Sequence, residues 1–386
     1  MTRKTIMVVT FLFILNCSEN KKNIFWEIQV DNEVGSFIDV EIEEVQLENF
    51  QSSYTGSIES IDNFLVFIDY RFGWIFFFND KGEVVNKILG SGNSDNEIPT
   101  ANISFYSNKP NGGFVFIGNS FDIHDFDENY FRKGSFYIDW NSSKSTDYLS
   151  KVEKPNISKS YNLAYNTGKI RMVDEFVYLP LASPPPLYSI FNLTTDFYSK
   201  NARIIAKMNL NNGKIISLLG NLSPEYHKNP EKRLFSNFSF DLSNSGDLYL
   251  TFQADSLIYR FDKNLNTLHK KFGFSGKGMN LNYTSFPNEL TNEKLESYWK
   301  KEISKKGYYS YLEYFDESDF LFRGYKKGGG SISDGLQVYH EEKLIADLEV
   351  PKDFSVSAYV KPYYYSNIYI DEKRDRVKIY RFKIND

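Results

Sequence analysis

The segment 238–273 constrains the fold most strongly, because it contains four short apolar stretches separated by turn residues. In the first stretch, Phe238, Phe240 and Leu242 alternate with polar residues, which is the period of two expected of a β-strand. Later stretches repeat this plan at 248–252, 257–261 and 268–272, with turns at 243–247, 254–256 and 262–264. A four-stranded meander of this length cannot bury its faces alone. The segment therefore predicts copies of itself packed side by side.

Units of the same kind recur along the chain, in the segments 64–90, 114–140, 176–220, 312–350 and 356–384. Repeats of about 50 residues, each a four-stranded meander, are typical of a β-propeller. The aromatic content of 17% also favours strands over helices. We therefore predict an all-β fold, a β-propeller of six blades with four antiparallel strands each. A pair of unrelated β-sandwich domains is the alternative.

The final unit, 356–384, has too few strands to complete a blade. The N-terminal stretch 25–48 contains strand-like pieces such as 37–42. We predict that a strand from this stretch completes the last blade, which would join the ends of the propeller and hide its edges. Residues 25–386 would then form one propeller domain.

One segment departs from the β pattern. Residues 292–305 predict an inserted helix, with Thr291 or Asn292 as its N-cap and Gly307 ending it. Leu295, Trp299 and Ile303 are spaced by four residues and form one apolar stripe. We expect this helix to pack on the propeller between the fourth and fifth blades.

The N-terminus resembles the lipoprotein signal of bacteria. Arg3 and Lys4 precede an apolar run at 5–15 that is too short to span a bilayer, and Cys17 follows it. The resemblance implies removal of residues 1–16, lipidation of Cys17, and a tether at 17–24. The protein would then be held at the bacterial cell envelope, at the outer membrane, by acyl chains on Cys17. An ordinary signal peptide with a chance cysteine is the alternative.

Charge and cysteine content exclude several classes of protein. The chain has 45 basic and 50 acidic residues, which lacks the basic footprint of a nucleic-acid-binding protein. A single cysteine excludes a disulfide framework and a cysteine-based zinc site.

The search for catalytic and metal-binding motifs is negative. The four histidines are scattered without ligand spacing, and no nucleophile motif is present. Residues 125–129 begin like a calcium loop, but Tyr130 and Phe136 replace the required glycine and glutamate, so we interpret them as a blade turn. We predict no catalytic residues, no metal site and no cofactor. We also interpret four charged residues of the first-described unit as exposed strand and turn residues: Asp241, Asp255, Arg260 and Asp262.

Further motifs give a family resemblance. Besides the N-terminal segment that resembles a lipoprotein signal, the motifs are Ile68-Asp69, Asp80-Lys81-Gly82, the glycine turns at 90–92 and 273–278, and the segment Tyr314-Phe315-Asp316 with Phe322-Arg323. Together they resemble the TolB-like six-bladed propeller lipoproteins of Bacteroidota, a family largely of uncharacterised function. The resemblance implies an envelope protein and gives no catalytic residues to assign.

We expect the chain to act as a binding module for an envelope protein or a glycan, with its site where loops meet at the channel mouth. Turn-adjacent aromatic and cationic residues are the candidates for that mouth: Tyr70, Arg71, Trp74, Arg323 and Tyr325. Blade packing also explains each of them. Two alternatives stay open, a carbohydrate-active hydrolase or lyase with its site at the channel mouth, and a structural subunit of an envelope complex.

Overall fold

The computed structural model is a six-bladed β-propeller, which confirms the fold predicted from the repeats. It describes residues 25, 28–48, 50–99, 102–110, 112–140, 156–164, 169–182, 200–284, 292–371 and 376–384. The predicted signal peptide at 1–16, Cys17 and the tether at 17–24 lie outside these residues. Each blade is an antiparallel sheet with four strands in sequential order, apart from the variations in blades 3 and 6 described below.

The strands are numbered in chain order. Blade 1 consists of β2 (Gly56–Ile61), β3 (Phe64–Asp69), β4 (Trp74–Phe78) and β5 (Val84–Leu89). Blade 2 consists of β6 (Ile103–Asn108), β7 (Phe114–Gly118), β8 (Asp122–Phe126) and β9 (Arg132–Tyr137). Blade 3 consists of β10 (Asn162–Leu163), β11 (Arg171–Val173), β12 (Phe176–Ala182), β13 (Ile205–Asn209) and β14 (Ile215–Leu219). Blade 4 consists of β15 (Phe238–Leu242), β16 (Asp247–Phe252), β17 (Ile258–Asp262) and β18 (Leu268–Phe272). Blade 5 consists of β19 (Tyr308–Phe315), β20 (Phe320–Lys326), β21 (Ser333–His340) and β22 (Lys343–Pro351). Blade 6 consists of β23 (Val356–Val360), β24 (Tyr363–Ser366), β25 (Tyr369–Asp371), β26 (Arg376–Phe382) and β1 (Glu43–Leu47).

The hydrophobic core lies between the blades, where six buried clusters fill the six interfaces. Strand β3 shows how one sequence serves two interfaces. Leu65 and Phe67 pack towards blade 6, while Val66 and Ile68 pack towards blade 2. Because both faces of the blade are covered, the strand reads as a continuous apolar run. Each fully buried side chain of this kind contributes about 1.5–3 kcal/mol.

Blade 6 takes its outer strand from the N-terminal part of the chain. Strand β1 pairs antiparallel with β26, with Val45 opposite Ile379. The chain then enters blade 1, where the Phe50 ring contacts those of Phe67 and Phe76 with centroids 5.0 and 5.1 Å apart. This segment therefore joins the last blade to the first.

Upstream of β1 the chain runs along the outside of blades 4 and 5. The Asp31 N–H donates to the Lys271 carbonyl at 2.9 Å, and the Ile38 N–H donates to the Ile345 carbonyl at 3.0 Å. Phe25, which is buried, packs edge-on against the Tyr259 ring at 5.0 Å. The N-terminal segment is therefore bound to three successive blades before it reaches blade 1.

The helices lie in connections between blades. Helix α1 (Glu225–Lys228) and the 3₁₀ helix Pro230–Phe235 join blades 3 and 4, and α2 (Asn292–Lys305) joins blades 4 and 5 as predicted. Two of its described apolar side chains, Tyr298 and Ile303, pack against the buried cluster that includes blade 4. Within the described residues no helix is long and apolar enough to cross a membrane.

The first strand of blade 3 is interrupted, unlike the first strands of the other blades. Strands β10 and β11 both pair with β12 but are separated by residues 164–170. Pro180 of β12 lies opposite the start of this gap, where its carbonyl accepts the Ala164 N–H at 2.9 Å. Because proline has no N–H, Pro180 donates no hydrogen bond in return. Pairing with β12 resumes at Arg171, opposite Tyr178.

Candidate functional site

The first strands of the blades contact one another around the axis of the propeller and enclose a central channel. The channel holds a cavity of about 200 Å³. All six blades contribute to its lining: Glu59, Ser60, Tyr106, Ser107, Asn108, Arg171, Met172, Asp241, Leu242, Asn244, Glu313, Tyr314, Phe315 and Ser357. Most of these side chains are polar, so the cavity is a polar site within an apolar fold.

An ion pair between blades 3 and 4 forms one wall of the cavity. The Arg171 guanidinium donates to both carboxylate oxygens of Asp241, through Nε and through Nη2, the latter at 3.1 Å. The same carboxylate accepts the backbone N–H of Leu242 and that of Tyr314, each at 2.8 Å. Asp241 is therefore fully engaged, and it ties blades 3, 4 and 5 together.

Glu313 of blade 5 completes a charged network with Lys169 and Arg171 of blade 3. Its carboxylate lies 2.6 Å from Lys169 Nζ and 3.1 Å from Arg171 Nη2. Burial raises the pKa of Glu313 to about 7, because desolvation outweighs the attraction of the two cations. Arg171 is the first residue of β11, and Lys169 lies two residues before it, so both cations are close to the start of this strand.

Glu59 of blade 1 is the remaining carboxyl group of the cavity. It is partly exposed to the cavity, and no cation of the described residues lies within ion-pair distance of it. Desolvation raises its pKa, although Lys169 and Arg171 oppose that shift from a longer distance. The lining of the cavity thus contains three carboxyl groups and the cation Arg171. Arg171 and the neighbouring Lys169 are paired with the other two carboxyl groups.

Tyrosines of blades 1 and 2 surround Glu59. The Tyr70 hydroxyl donates to Ser57 Oγ at 3.0 Å, and the Tyr106 hydroxyl donates to the Asn108 side-chain oxygen. Burial and the charge of Glu59 raise the pKa of both phenols well above the usual value, so they stay neutral.

The predicted mouth residues of blade 1 lie between the end of its second strand and the start of its third, at the end of the blade where its first strand begins. Tyr70 is partly buried, and Arg71 is exposed in the following turn. Trp74 is partly buried, with the Lys87 ammonium 3.8 Å from its ring centroid and Phe72 beside it at 5.0 Å. Of these three, Tyr70 is the one that Glu59 and Arg171 influence electrostatically.

The predicted mouth residues of blade 5 are buried. Arg323 is fully buried and donates to the carbonyls of Ser256 and Phe274, each at 2.8 Å, and to the Gln337 side chain. The Tyr325 hydroxyl donates to Asp347 at 2.5 Å. These contacts place Arg323 between blades 4 and 5, outside the residues that line the cavity. A binding role for the five mouth residues stays a prediction.

Two acidic residues interpreted from the sequence as exposed are buried. Asp241 and Asp255 each have an exposed fraction of 2%. Asp241 is held by Arg171, and Asp255 accepts the Tyr259 hydroxyl at 2.7 Å. The interpretation of Asp241 was wrong because alternation within a strand does not distinguish a face exposed to bulk water from one that lines a channel. Asp255 was misjudged because its turn is covered, and its carboxylate accepts hydrogen bonds from Leu257 and Tyr259.

The calcium-like sequence at 125–129 forms a blade turn. Asp127 Oδ1 accepts the backbone N–H groups of Asn129 and Phe131 at 3.0 and 2.9 Å. Within the part of the chain that the structure describes, no group of three or more His, Cys, Asp or Glu side chains is placed to hold a metal ion.

Comparisons with known proteins find similarity at the level of structure. No protein-family model and no curated protein matches the sequence. A member of the DUF4221 family from Bacteroides vulgatus aligns with a TM-score of 0.62 and 11% identity over 92% of this chain and 99% of that one. A putative exported protein from Bacteroides fragilis aligns with a TM-score of 0.51 and 12% identity over the same shares. At these identities the similarity shows the fold alone.

Proposed function

We propose that this protein is a lipid-anchored β-propeller of the bacterial cell envelope that binds a small polar ligand in its central channel. The observation that carries the proposal is the polar cavity to which all six first strands contribute. Concave sites in which a few polar groups converge are the usual places for ligand binding. Charged groups in a channel also lose part of their hydration, which costs free energy. Apolar side chains of similar volume in their place would often stabilise the fold at least as well. A ligand-binding role accounts for the charges better than a packing role does.

An enzyme is the second candidate, because the cavity holds more than one carboxyl group. Glycoside hydrolysis, for example, needs two carboxyl groups free to act on the substrate. Asp241 is held by Arg171 and two backbone N–H groups, and Glu313 is held by Lys169 and Arg171. Glu59 is therefore the one carboxyl group of the cavity without an ion pair in the described residues. This arrangement favours binding over acid–base catalysis.

A structural subunit of an envelope complex has weaker support. An exposed apolar patch on the helix α2 would favour this role. Tyr298 and Ile303 of that helix are packed against the propeller instead.

The binding proposal is tested by filling the cavity. Ser60→Trp places an indole among the lining residues, and Ser217→Trp on the outer strand of blade 3 is the matched control. Both variants and the wild type are incubated with a small-molecule extract of bacterial envelopes and examined by native mass spectrometry. We expect the wild type and Ser217→Trp to retain a ligand that Ser60→Trp loses. Equal retention by all three proteins would contradict a channel site.

The anchoring proposal is supported by the lipobox-like sequence around Cys17, and a similar structure carries the description of an exported protein. Two acyl chains hold a protein at a membrane stably, because each buried methylene contributes about 0.8 kcal/mol. Cys17→Ser should move the protein from the membrane fraction to the soluble fraction, while Ser18→Ala should leave it membrane-bound. Unchanged membrane retention of Cys17→Ser would refute lipidation.

A further inference from the structure

The charge balance of the channel indicates the chemistry of its ligand. Arg171 and Lys169 are each paired with Asp241 or Glu313 at short distance. Residues 165–168 of the sequence carry no charged side chain. With the carboxylates ionised, the charged residues described in and next to the cavity (Glu59, Asp241, Glu313, Arg171 and Lys169) therefore carry one excess negative charge, which lies on Glu59.

The turns at one end of the channel also carry an excess of negative charge. The cavity reaches Asn244, which lies in the turn that follows the first strand of blade 4. The six corresponding turns contain two lysines and six acidic residues, namely Asp62, Asp174, Glu175, Asp316, Glu317 and Asp319. Lys109, one of the two lysines, forms an ion pair with Asp125 at 2.8 Å. Asp174 of these turns forms an exposed ion pair with Lys263. A concentration of one sign of charge at a cleft attracts ligands of the opposite sign.

The walls and the size of the cavity restrict the ligand further. Tyr106, Tyr314 and Phe315 supply aromatic rings, which attract cations to their faces. The cavity of about 200 Å³ is smaller than the pockets that enclose drug-sized molecules. No metal-ligand cluster is formed by the described residues of the channel. These properties suit a compact organic cation better than a metal ion or an oligosaccharide.

We propose that the channel binds a small organic cation, an amine or guanidine group, whose charge pairs with the carboxylate of Glu59. The inference rests on the proposed binding function and identifies the class of ligand that the same cavity would take. Glu59 is then a ligand-binding residue, and Asp241, Glu313, Arg171 and Lys169 hold the wall against which the ligand lies.

Isothermal titration calorimetry of the full-length protein in detergent tests this inference, with ethylguanidinium chloride and butylammonium chloride as probes and sodium butyrate as the anionic comparison. At about pH 8 we expect the wild type to bind at least one cation and not butyrate. Glu59→Gln should weaken binding by about tenfold or more, since it keeps the shape of the side chain and removes its charge. Glu341→Gln, an exposed acid of blade 5, should bind as the wild type does.

A pH titration of the wild type provides a second measurement that needs no variant. Glu59 faces Lys169, Arg171 and the hydroxyl of Ser57, which favour its ionisation, and Asp241, which opposes it. Glu59 and Glu313 also repel each other. Burial raises its pKa, and the neighbouring phenols of Tyr70 and Tyr106 stay neutral. Binding of the cation should therefore weaken as the pH falls from about 8 to about 5, because Glu59 and Glu313 both gain protons in this range. Glu59→Gln should lose the part of that dependence that Glu59 contributes.

The outcomes separate this inference from the proposed function. Equal affinity of the wild type and Glu59→Gln for the cations would overturn the assignment to Glu59. Binding of butyrate alone would overturn the cationic ligand while leaving a ligand-binding channel. Binding of none of the probes would also overturn the cation inference, and retention of a ligand by the wild type but not by Ser60→Trp would still support the channel site.

Discussion

Arg171 of blade 3 and Asp241 of blade 4 form a two-point ion pair whose carboxylate also accepts the backbone N–H of Tyr314 in blade 5. One side chain thus fixes three consecutive blades next to the channel. The pair is buried, with side-chain exposures of 17% for Arg171 and 3% for Asp241.

The first prediction concerns this ion pair. Asp241→Asn should lower the free energy of unfolding by about 2–4 kcal/mol, because it leaves part of the Arg171 charge buried without compensation. Asp174→Asn removes a partner of the exposed pair with Lys263, also between blades 3 and 4, and should cost about 1 kcal/mol or less. Urea unfolding measures both. Equal effects of the two substitutions would contradict a structural role for the channel pair.

The second prediction concerns the closure between the last and first blades. Phe50→Ala should lower the free energy of unfolding by about 3–5 kcal/mol, because the buried ring packs against Phe67, Phe76 and Phe78. Phe37→Ala in the same N-terminal segment, where the ring is 64% exposed, should change it by about 0.5 kcal/mol or less. The urea midpoints of the two variants provide the comparison. A small effect of Phe50→Ala would mean that the closure between the blades contributes little to the free energy of unfolding.

The third prediction separates a structural from a binding role for Arg323. Arg323→Met should destabilise the protein by about 2 kcal/mol or more, because it leaves the buried acceptors of Ser256, Phe274 and Gln337 without their donor. Arg71→Met, at an exposed residue, serves as the control. A normal thermal midpoint for Arg323→Met would show that its contacts are dispensable and would favour the predicted binding role.

The fourth prediction concerns pH. Because the pKa of Glu313 is raised to about 7 from 4.5, the folded protein holds a proton there that the unfolded chain has released. The resulting stability is complete below about pH 4.5 and is lost as the pH rises through about 7, amounting to about 3 kcal/mol at most. The stability of Glu313→Gln, compared with the wild type across this range, should lack that decline. Parallel curves would mean that Glu313 is ionised throughout.

The fold could be predicted because the second and third strands of each blade are covered on both faces. The apolar runs at Leu65–Ile68 and Phe114–Ile117 result from that burial, and turn residues separate them. The first strands β2 and β6 were missed, because they line a polar channel and their sequences, GSIESI and ISFYSN, resemble loops.

The candidate site was missed for the same reason. Glu59, Arg171, Asp241 and Glu313 come from four blades and are separated by 70 residues or more along the chain, so no local motif marks them. Their shared property is their position in the first strand of a blade, just before the first turn. Aligning the repeats by their turns could have placed them in one ring. The residues chosen instead, Arg323 and Tyr325, are cationic and aromatic but lie in a second strand.

The pairing of β1 with β26 has a consequence for the synthesis of the protein. Glu44 and its partner Lys378 are 334 residues apart, so the strand that is made first is the last to find its neighbour. At a translation rate of about 5–20 residues per second, it waits roughly 20–70 s for β26 to be made. During that time five blades can form while the first strand presents an unpaired edge. A factor that shields this edge would therefore act before release of the finished chain, and a truncation near residue 375 would leave the strand permanently without a partner.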